Sequence, residues 1–465
     1  MAANRTHGRM ASPGGGFPAG SLADLETPTL TGPFRARAEW DPLEEVLIHR
    51  PGVEMFFGLL EPYSFLYERG FRKDEAVHEH EELEHALTQA GVRVRRLIHL
   101  AIEIGERQPA LVEQVRRRVL EIVNYSGPRL MVERARAALR RNLDKFDGET
   151  LFNILVLRPS VHLARHPGVR VIQPTVQLDT PLANLYFMRD QQALSANGYL
   201  RSRMSKPQRQ NEPLLTSALL RAWGAPFVTE VRPPGTFEGG DFIPMGDFVM
   251  LGNGDRTNAS GVRQILASDL GVDEVAVVHQ PSHPAIPGNE PDPMIDMHLD
   301  TYLNVPGEGL ALGCAPLLER ARTEVYRRRS GGRLHREPKT VSVREYLESK
   351  KIVVLPLSTL EQMSYASNFL CLRDRRILAV EVESEVDRVL ANLEVAARGD
   401  PRRYRALLAL AKKERTELRA GPGFFPHTAL VRDHGIEVIP LNLTEITGGY
   451  GGAHCMTCVL RRSAR

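Results

Sequence analysis

Four of five consecutive positions, Gly448, Gly449, Gly451 and Gly452, are glycine, and His454, Cys455 and Cys458 follow directly. Residues without Cβ let the backbone bend tightly and approach a ligand closely, so the stretch reads as a loop that presents something. What it presents is Cys455, a candidate nucleophile if its surroundings favour the thiolate. Three plainer readings fit the same residues. Cys455 could be a buried structural thiol, or Cys455 and Cys458 could form a C-x-x-C redox pair or half of a zinc site. Cys314 and Cys371 stand alone and supply no second paired spacing, which weighs against zinc. Partners elsewhere in the chain must decide.

A chain of 465 residues can bury a large core, either as several domains or as one large fold with an inserted module. Its formal charge of +3 is nearly balanced for that length, so nothing global calls for a nucleic-acid partner. Four cysteines do not suggest a disulfide framework. No early apolar run resembles a secretory leader or a membrane span of about 18 residues. A reducing cytoplasm is the expected setting. Residues 1–35, rich in Gly, Pro, Ser and Ala without apolar periodicity, are expected to form a disordered tail.

Order is expected from the strand Glu45–His49, which Pro51-Gly52 closes. Apolar spacings of three and four then predict helices from about residue 72 to 142, interrupted by a short strand at 92–97. Arg116, Arg117, Arg118, Arg134, Arg136, Arg140 and Arg141 crowd two of these helices, as on a solvated face rather than a nucleic-acid footprint. Beyond residue 150 short strands alternate with helices and hairpins. Strands are expected at 169–172, 185–188, 275–278, 352–355, 369–372, 377–380 and 436–439, and a helix at 211–223. Hairpins are expected around Gly246-Asp247 and Pro306-Gly307, and an exposed loop at 320–336. The rhythm is that of an α/β protein.

Three polar clusters sit in this pattern. Asp190 ends the apolar run Leu185–Met188, a place where α/β folds carry site residues or ordinary surface charge. Glu238-Gly239-Gly240-Asp241 sets two acids about two glycines, either at a ligand or at a solvated hairpin entry. Read as an extended segment, Asp296-Met297-His298-Leu299-Asp300-Thr301 puts Asp296, His298 and Asp300 on one face. A histidine among carboxylates is suited to proton transfer, although a structural histidine or a metal site remains open. Thiol, imidazole and carboxylates together suit covalent chemistry on a planar cation, because two carboxylates can grip a guanidinium and leave its carbon open to a thiolate. A bound cation and a protonated His298 would both favour that thiolate.

From about residue 40 to 460 the sequence resembles the arginine deiminases of the guanidino-group-modifying superfamily. The resemblance rests on Asn184-Leu185-Tyr186-Phe187-Met188-Arg189-Asp190, Phe237–Asp241, Met297–Thr301 and Gly451–Cys458, in that order. It implies a five-bladed α/β propeller of ββαβ modules over 36–465, with a helical insertion at 73–147. It implies Cys455 as nucleophile, His298 as general acid and base, Glu238 as the carboxylate that orients it, and Asp190 and Asp300 as the guanidinium grip. Asn184, Phe187, Arg209, Arg256 and Tyr450 fall where the family meets the rest of its substrate. Two departures stand out: Tyr450 replaces the arginine usual five residues before the nucleophile, and Tyr67-Glu68-Arg69 replaces an acidic pair. The expected activity is hydrolysis of arginine or a close analogue to citrulline and ammonia, without metal or organic cofactor, by a homo-oligomer. An amidinotransferase with the same residues and a non-catalytic binding protein are the competing expectations.

Overall fold

The computed structural model describes residues 34–165, 172–288, 290–329 and 332–463. The tail proposed for residues 1–35 lies almost wholly outside them, as does most of the strand expected at 169–172.

One strand pattern occurs five times. An antiparallel pair is followed by a third strand parallel to its second member, and helix separates the second strand from the third. The sets are Gln192–Ser195, Gly198–Arg201 and Phe227–Glu230; Phe242–Pro244, Phe248–Asn253 and Glu274–His279; Leu303–Gly307, Leu310–Cys314 and Val353–Leu357; and Leu370–Arg373, Arg376–Val380 and Glu437–Leu441. The fifth joins the ends of the chain, since Cys458–Arg462 pairs with Leu43–Ile48, which runs parallel to Arg93–Arg96. The central strands are almost continuously apolar, as in Phe248-Val249-Met250-Leu251, because they are covered on both faces. Between the fifth and first sets lie the helices Leu97–Arg107, Pro109–Ile122, Arg129–Asn142 and Gly148–Leu157, and a separate sheet of Asn124–Ser126, Pro159–Arg165 and Ile172–Leu178. The arginines of this region pair locally, Arg116 with Glu113 and Arg118 with Glu121, as a solvated face does.

Two sequence expectations fail here. The segment expected as a loop at 320–336 is largely a hairpin, Arg322–Arg328 with Leu334–Ser342, which extends the second sheet. Thr323 and Val325 are buried while Arg322, Glu324 and Tyr326 between them are more exposed, so the charge density conceals a strand alternation. The run Leu185–Met188 is not a strand. Its backbone turns, with Leu185 N donating to Leu182 O and Phe187 N to Asn184 O, and its apolar side chains are buried by tertiary packing. Asp190 therefore follows a turn rather than a strand end.

Closure of the chain is secured by a charge. Arg462 is fully buried, donating to Asp41 O at 2.7 Å and to Glu39 Oε2 at 2.8 Å. Removing one partner of such a buried pair leaves an uncompensated charge, so Arg462→Leu is expected to cost about 3–5 kcal/mol. Urea unfolding would show it as a lowered midpoint at similar slope; an unchanged midpoint would mean that Glu39 carries no charge to compensate.

Candidate active site

Cys455 sits in the turn that leads into the last strand and is 5% exposed. A Cβ on Gly451 would lie 2.5 Å from the Phe187 ring and 2.9 Å from Cys455 Cβ, so the turn can close on the thiol only because glycine is there. Tyr450, just before it, adopts φ +70°, a left-handed conformation rarely taken by a bulky residue, and ends the tight turn Ile446–Gly449. Its phenol is half-buried, and burial with Glu68 and Asp292 nearby holds it protonated.

Around the thiol the carboxylates divide into two groups. On one side Asp300 Oδ2 lies 3.8 Å from Cys455 Sγ and 2.7 Å from His454 Nδ1. His454 Nε2 is 3.6 Å from Glu39 Oε1, and Glu39 is held ionised by Arg189 at 3.3 Å and Arg462 at 2.8 Å in spite of burial. On the other side His298 Nε2 meets Glu238 Oε2 at 2.9 Å, and its Nδ1 faces Asp190 Oδ1 at 3.8 Å. The groups meet at Gly240, where a Cβ would fall 2.9 Å from both Asp300 Oδ1 and His298 Nδ1. Glycine is needed there so that the Glu238–Asp241 loop can lie against the imidazole.

His298 is not on an extended segment. It precedes the tight turn Leu299–Thr301, with His298 N donating to Thr301 Oγ1 and Thr301 N to His298 O, each at 3.1 Å, and the short helix Pro293–Asp296 comes before. The alternation expected from spacing does not apply, and Asp296 turns away to accept from Asp292 N at 2.8 Å. The carboxylates that His298 does meet come from distant sequence.

Burial works against charge on His298, but Asp190 and the Glu238 hydrogen bond overcome it and raise its pKa to about 9. Burial likewise opposes ionisation of Glu238, yet Arg256 and His298 hold it far below the ordinary carboxylate range. The Cys455 thiol moves the other way: burial, then Asp300 and Asp190, push it well above its usual value. Near neutral pH the site therefore pairs an imidazolium with a thiol. The thiolate expected from the sequence needs additional positive charge.

The arginines have occupations of their own. Arg209 binds Asp190 at 2.6 Å and Glu212 at 2.9 Å, while Arg256 lies 3.5 Å from Glu238 and 3.3 Å from Asp255. Asn184 donates to Phe65 O at 2.7 Å, and the Phe187 ring lies beneath the Arg209 guanidinium at 6.0 Å. All four are buried. Asp190 Oδ1 and Asp300 Oδ1 are buried and accept no hydrogen bond among the described residues. Asp190, Glu238 and His298 also bring ligand atoms within 4.8 Å of one another. A metal held there would have to displace the His298 proton, because ligation requires the neutral ring.

The residues missed from sequence are His454, Glu39 and Asn368. His454 stands beside Cys455 and could have been noticed by position. Glu39 and Asn368 stand in no motif, and only the folded chain brings them near Cys455.

The arginine deiminase family model matches residues 63–462. The arginine deiminase of Halobacterium salinarum is 27% identical over 507 aligned residues, covering 92% of this chain and 96% of the relative. That of Limosilactobacillus fermentum is 23% identical over 459, covering 93% and 99%. The solved dimethylarginine dimethylaminohydrolase of Pseudomonas aeruginosa covers 90% of this chain and 98% of its own, at 14% identity and a TM-score of 0.46. With the match spanning nearly all of the described residues, the chain belongs to the arginine deiminase family, enzymes that act on a guanidino group.

Proposed function

We propose that this chain hydrolyses the guanidino group of arginine, or of a close analogue, to a ureido product and ammonia through a covalent intermediate on Cys455. The observation that carries the reading is the pair of unpartnered oxygens, Asp190 Oδ1 and Asp300 Oδ1, buried around a thiol and an imidazolium. Buried acceptors without donors are costly, and a planar cation with several N–H groups supplies the donors and the charge together.

In this reading the guanidinium enters between Asp190 and Asp300 and adds the positive charge that the thiol lacks. The Cys455 proton passes to solvent as the cation binds, and the thiolate attacks the guanidino carbon, forming a C–S bond while the C=N π pair moves onto nitrogen. His298 gives its proton to one nitrogen as the C–N bond breaks, and ammonia leaves. The neutral imidazole then takes a proton from water, whose oxygen adds to the thiouronium carbon. As the C–S bond breaks its electron pair returns to sulfur, and the hydroxyl proton passes to that sulfur, leaving the ureido C=O and restoring the Cys455 thiol. Glu238 orients His298 throughout. Arg209 and Arg256 position Asp190 and Glu238, so a substrate carboxylate reaching them would compete with Glu212 and Asp255.

We also propose that residues 36–465 form one catalytic unit, a five-bladed propeller supported by the five repeats of the strand pattern. The inserted helices at 73–147 belong to it, with Lys73–Gln89 lying between two paired strands of the fifth set. Self-association and a cytoplasmic setting rest on family resemblance; no helix among the described residues is long and apolar enough to cross a membrane.

Purified protein incubated with arginine should release ammonia and citrulline in equal amounts. Product that forms only when an amine acceptor is added would indicate amidino transfer instead. Cys455→Ser should lower kcat by at least about a thousandfold, as removal of other covalent nucleophiles does, and retained turnover would refute the covalent step. Because the His298 pKa is raised to about 9, the imidazolium is present below that pH and lost above it. A plot of kcat against pH at saturating arginine, where the bound cation has already displaced the Cys455 proton, should therefore fall as pH rises through about 9, whereas a level profile across that range would rule out proton donation by His298.

A further inference from the structure

Asn368 lies between the helix Thr359–Met363 and the strand Leu370–Arg373, and is 4% exposed. Its Oδ1 accepts from Gly452 N at 2.8 Å and from Cys455 N at 3.2 Å. Its backbone O accepts from His454 N at 3.1 Å. Three hydrogen bonds thus tie this segment to the nucleophile turn. They also fix the amide, since a flipped side chain would turn its NH2 toward two backbone N–H groups. With Oδ1 assigned by those two donors, Nδ2 must face Cys455 Sγ, which it approaches at 3.1 Å.

Apart from Arg189, whose charge favours the thiolate, the rest of the sulfur's surroundings opposes negative charge. Asp300 lies 3.8 Å away, Asp190 adds a second negative charge, and the thiol is buried. Among the described residues Asn368 Nδ2 is the hydrogen-bond donor aimed at Sγ. A neutral amide in this place gives the thiolate a partner without adding a cation that would repel a guanidinium.

We propose that Asn368 is a catalytic residue that donates through Nδ2 to the Cys455 thiolate, stabilising charge on sulfur when the thiolate forms and again when the intermediate collapses. The proposal rests on Cys455 being the nucleophile. No bond to Asn368 is made or broken. One N–H shifts its hydrogen bond toward sulfur as negative charge appears there and relaxes as the C–S bond forms.

Two substitutions test this. Asn368→Ala removes the donor without adding charge, while Asn368→Asp keeps an oxygen to accept from both backbone N–H groups but loses the donor and adds a charge. The thiolate absorbance of each full-length protein is titrated in the ultraviolet, subtracting the corresponding Cys455→Ser protein so that other cysteines and tyrosines cancel. The Cys455 midpoint should rise by about one pH unit or more in both variants, a tenfold change in proton affinity. The kcat on arginine should fall by about tenfold or more, with KM changing less, while circular dichroism and thermal midpoints show a folded protein. If Asn368→Ala does not fold, the Asp variant decides alone, because an unchanged midpoint there cannot be reconciled with loss of a donor. A midpoint unmoved in a folded variant overturns the proposal. If Cys455→Ser itself retains turnover, the nucleophile assignment has failed, whereas an inactive Cys455→Ser beside an unmoved midpoint removes only the role of Asn368.

Discussion

The carboxylates of Glu39, Asp190, Glu212, Glu238 and Asp300 are among those buried around one thiol, and the architecture depends on keeping them there. Uncompensated, such a concentration of negative charge in a low-dielectric interior would protonate or unfold. Compensation comes from Arg189 and Arg462 on Glu39, Arg209 on Asp190 and Glu212, and Arg256 with His298 on Glu238. Asp300 is met by His454. Burial still outweighs the Arg209 guanidinium at Glu212, raising its pKa to about 7. Two carboxylate oxygens remain unmatched, which sets the sign and the shape of what the site can take in.

The same arrangement explains the protonation states. Carboxylates surround the imidazole, so His298 holds its proton to about 9. They also surround the sulfur, so Cys455 holds its proton too. A thiol held protonated is protected from oxidation and stray electrophiles, because the thiolate is the reactive form.

Position in the chain matters as much as charge. The nucleophile turn immediately precedes Cys458–Arg462, the strand that pairs with Leu43–Ile48 and joins the two ends of the described chain. Arg462 on that strand reaches Glu39, which lies behind His454 and Asp300. Closure of the fold and placement of the thiol are consequently one packing event, and Asn368 pins the turn from the neighbouring set of strands.

The residue types of the site were legible in order along the sequence: an acid after an apolar run, two acids about two glycines, a histidine between acids, and a cysteine after glycines. That order, with the resemblance it carries, determined the family, because reactive side chains on flexible glycine segments are few and their spacing is local; the α/β class came from the alternation of short strands with helices. Hairpins about Gly246-Asp247 and Pro306-Gly307 were legible for the same reason, since turn chemistry is local. Tertiary structure alone decided what is long-range. It made Leu185–Met188 a buried turn, because burial from all sides mimics the apolar pattern of a strand. It replaced the supposed shared face of Asp296, His298 and Asp300 with a capped turn whose real partners, Glu238 and Asp190, lie far away in the chain. It engaged Arg209 and Arg256 with carboxylates, and set Asn368 and Glu39 beside the thiol and its support, because charge balance in an interior is settled by whatever the fold brings within a few ångströms.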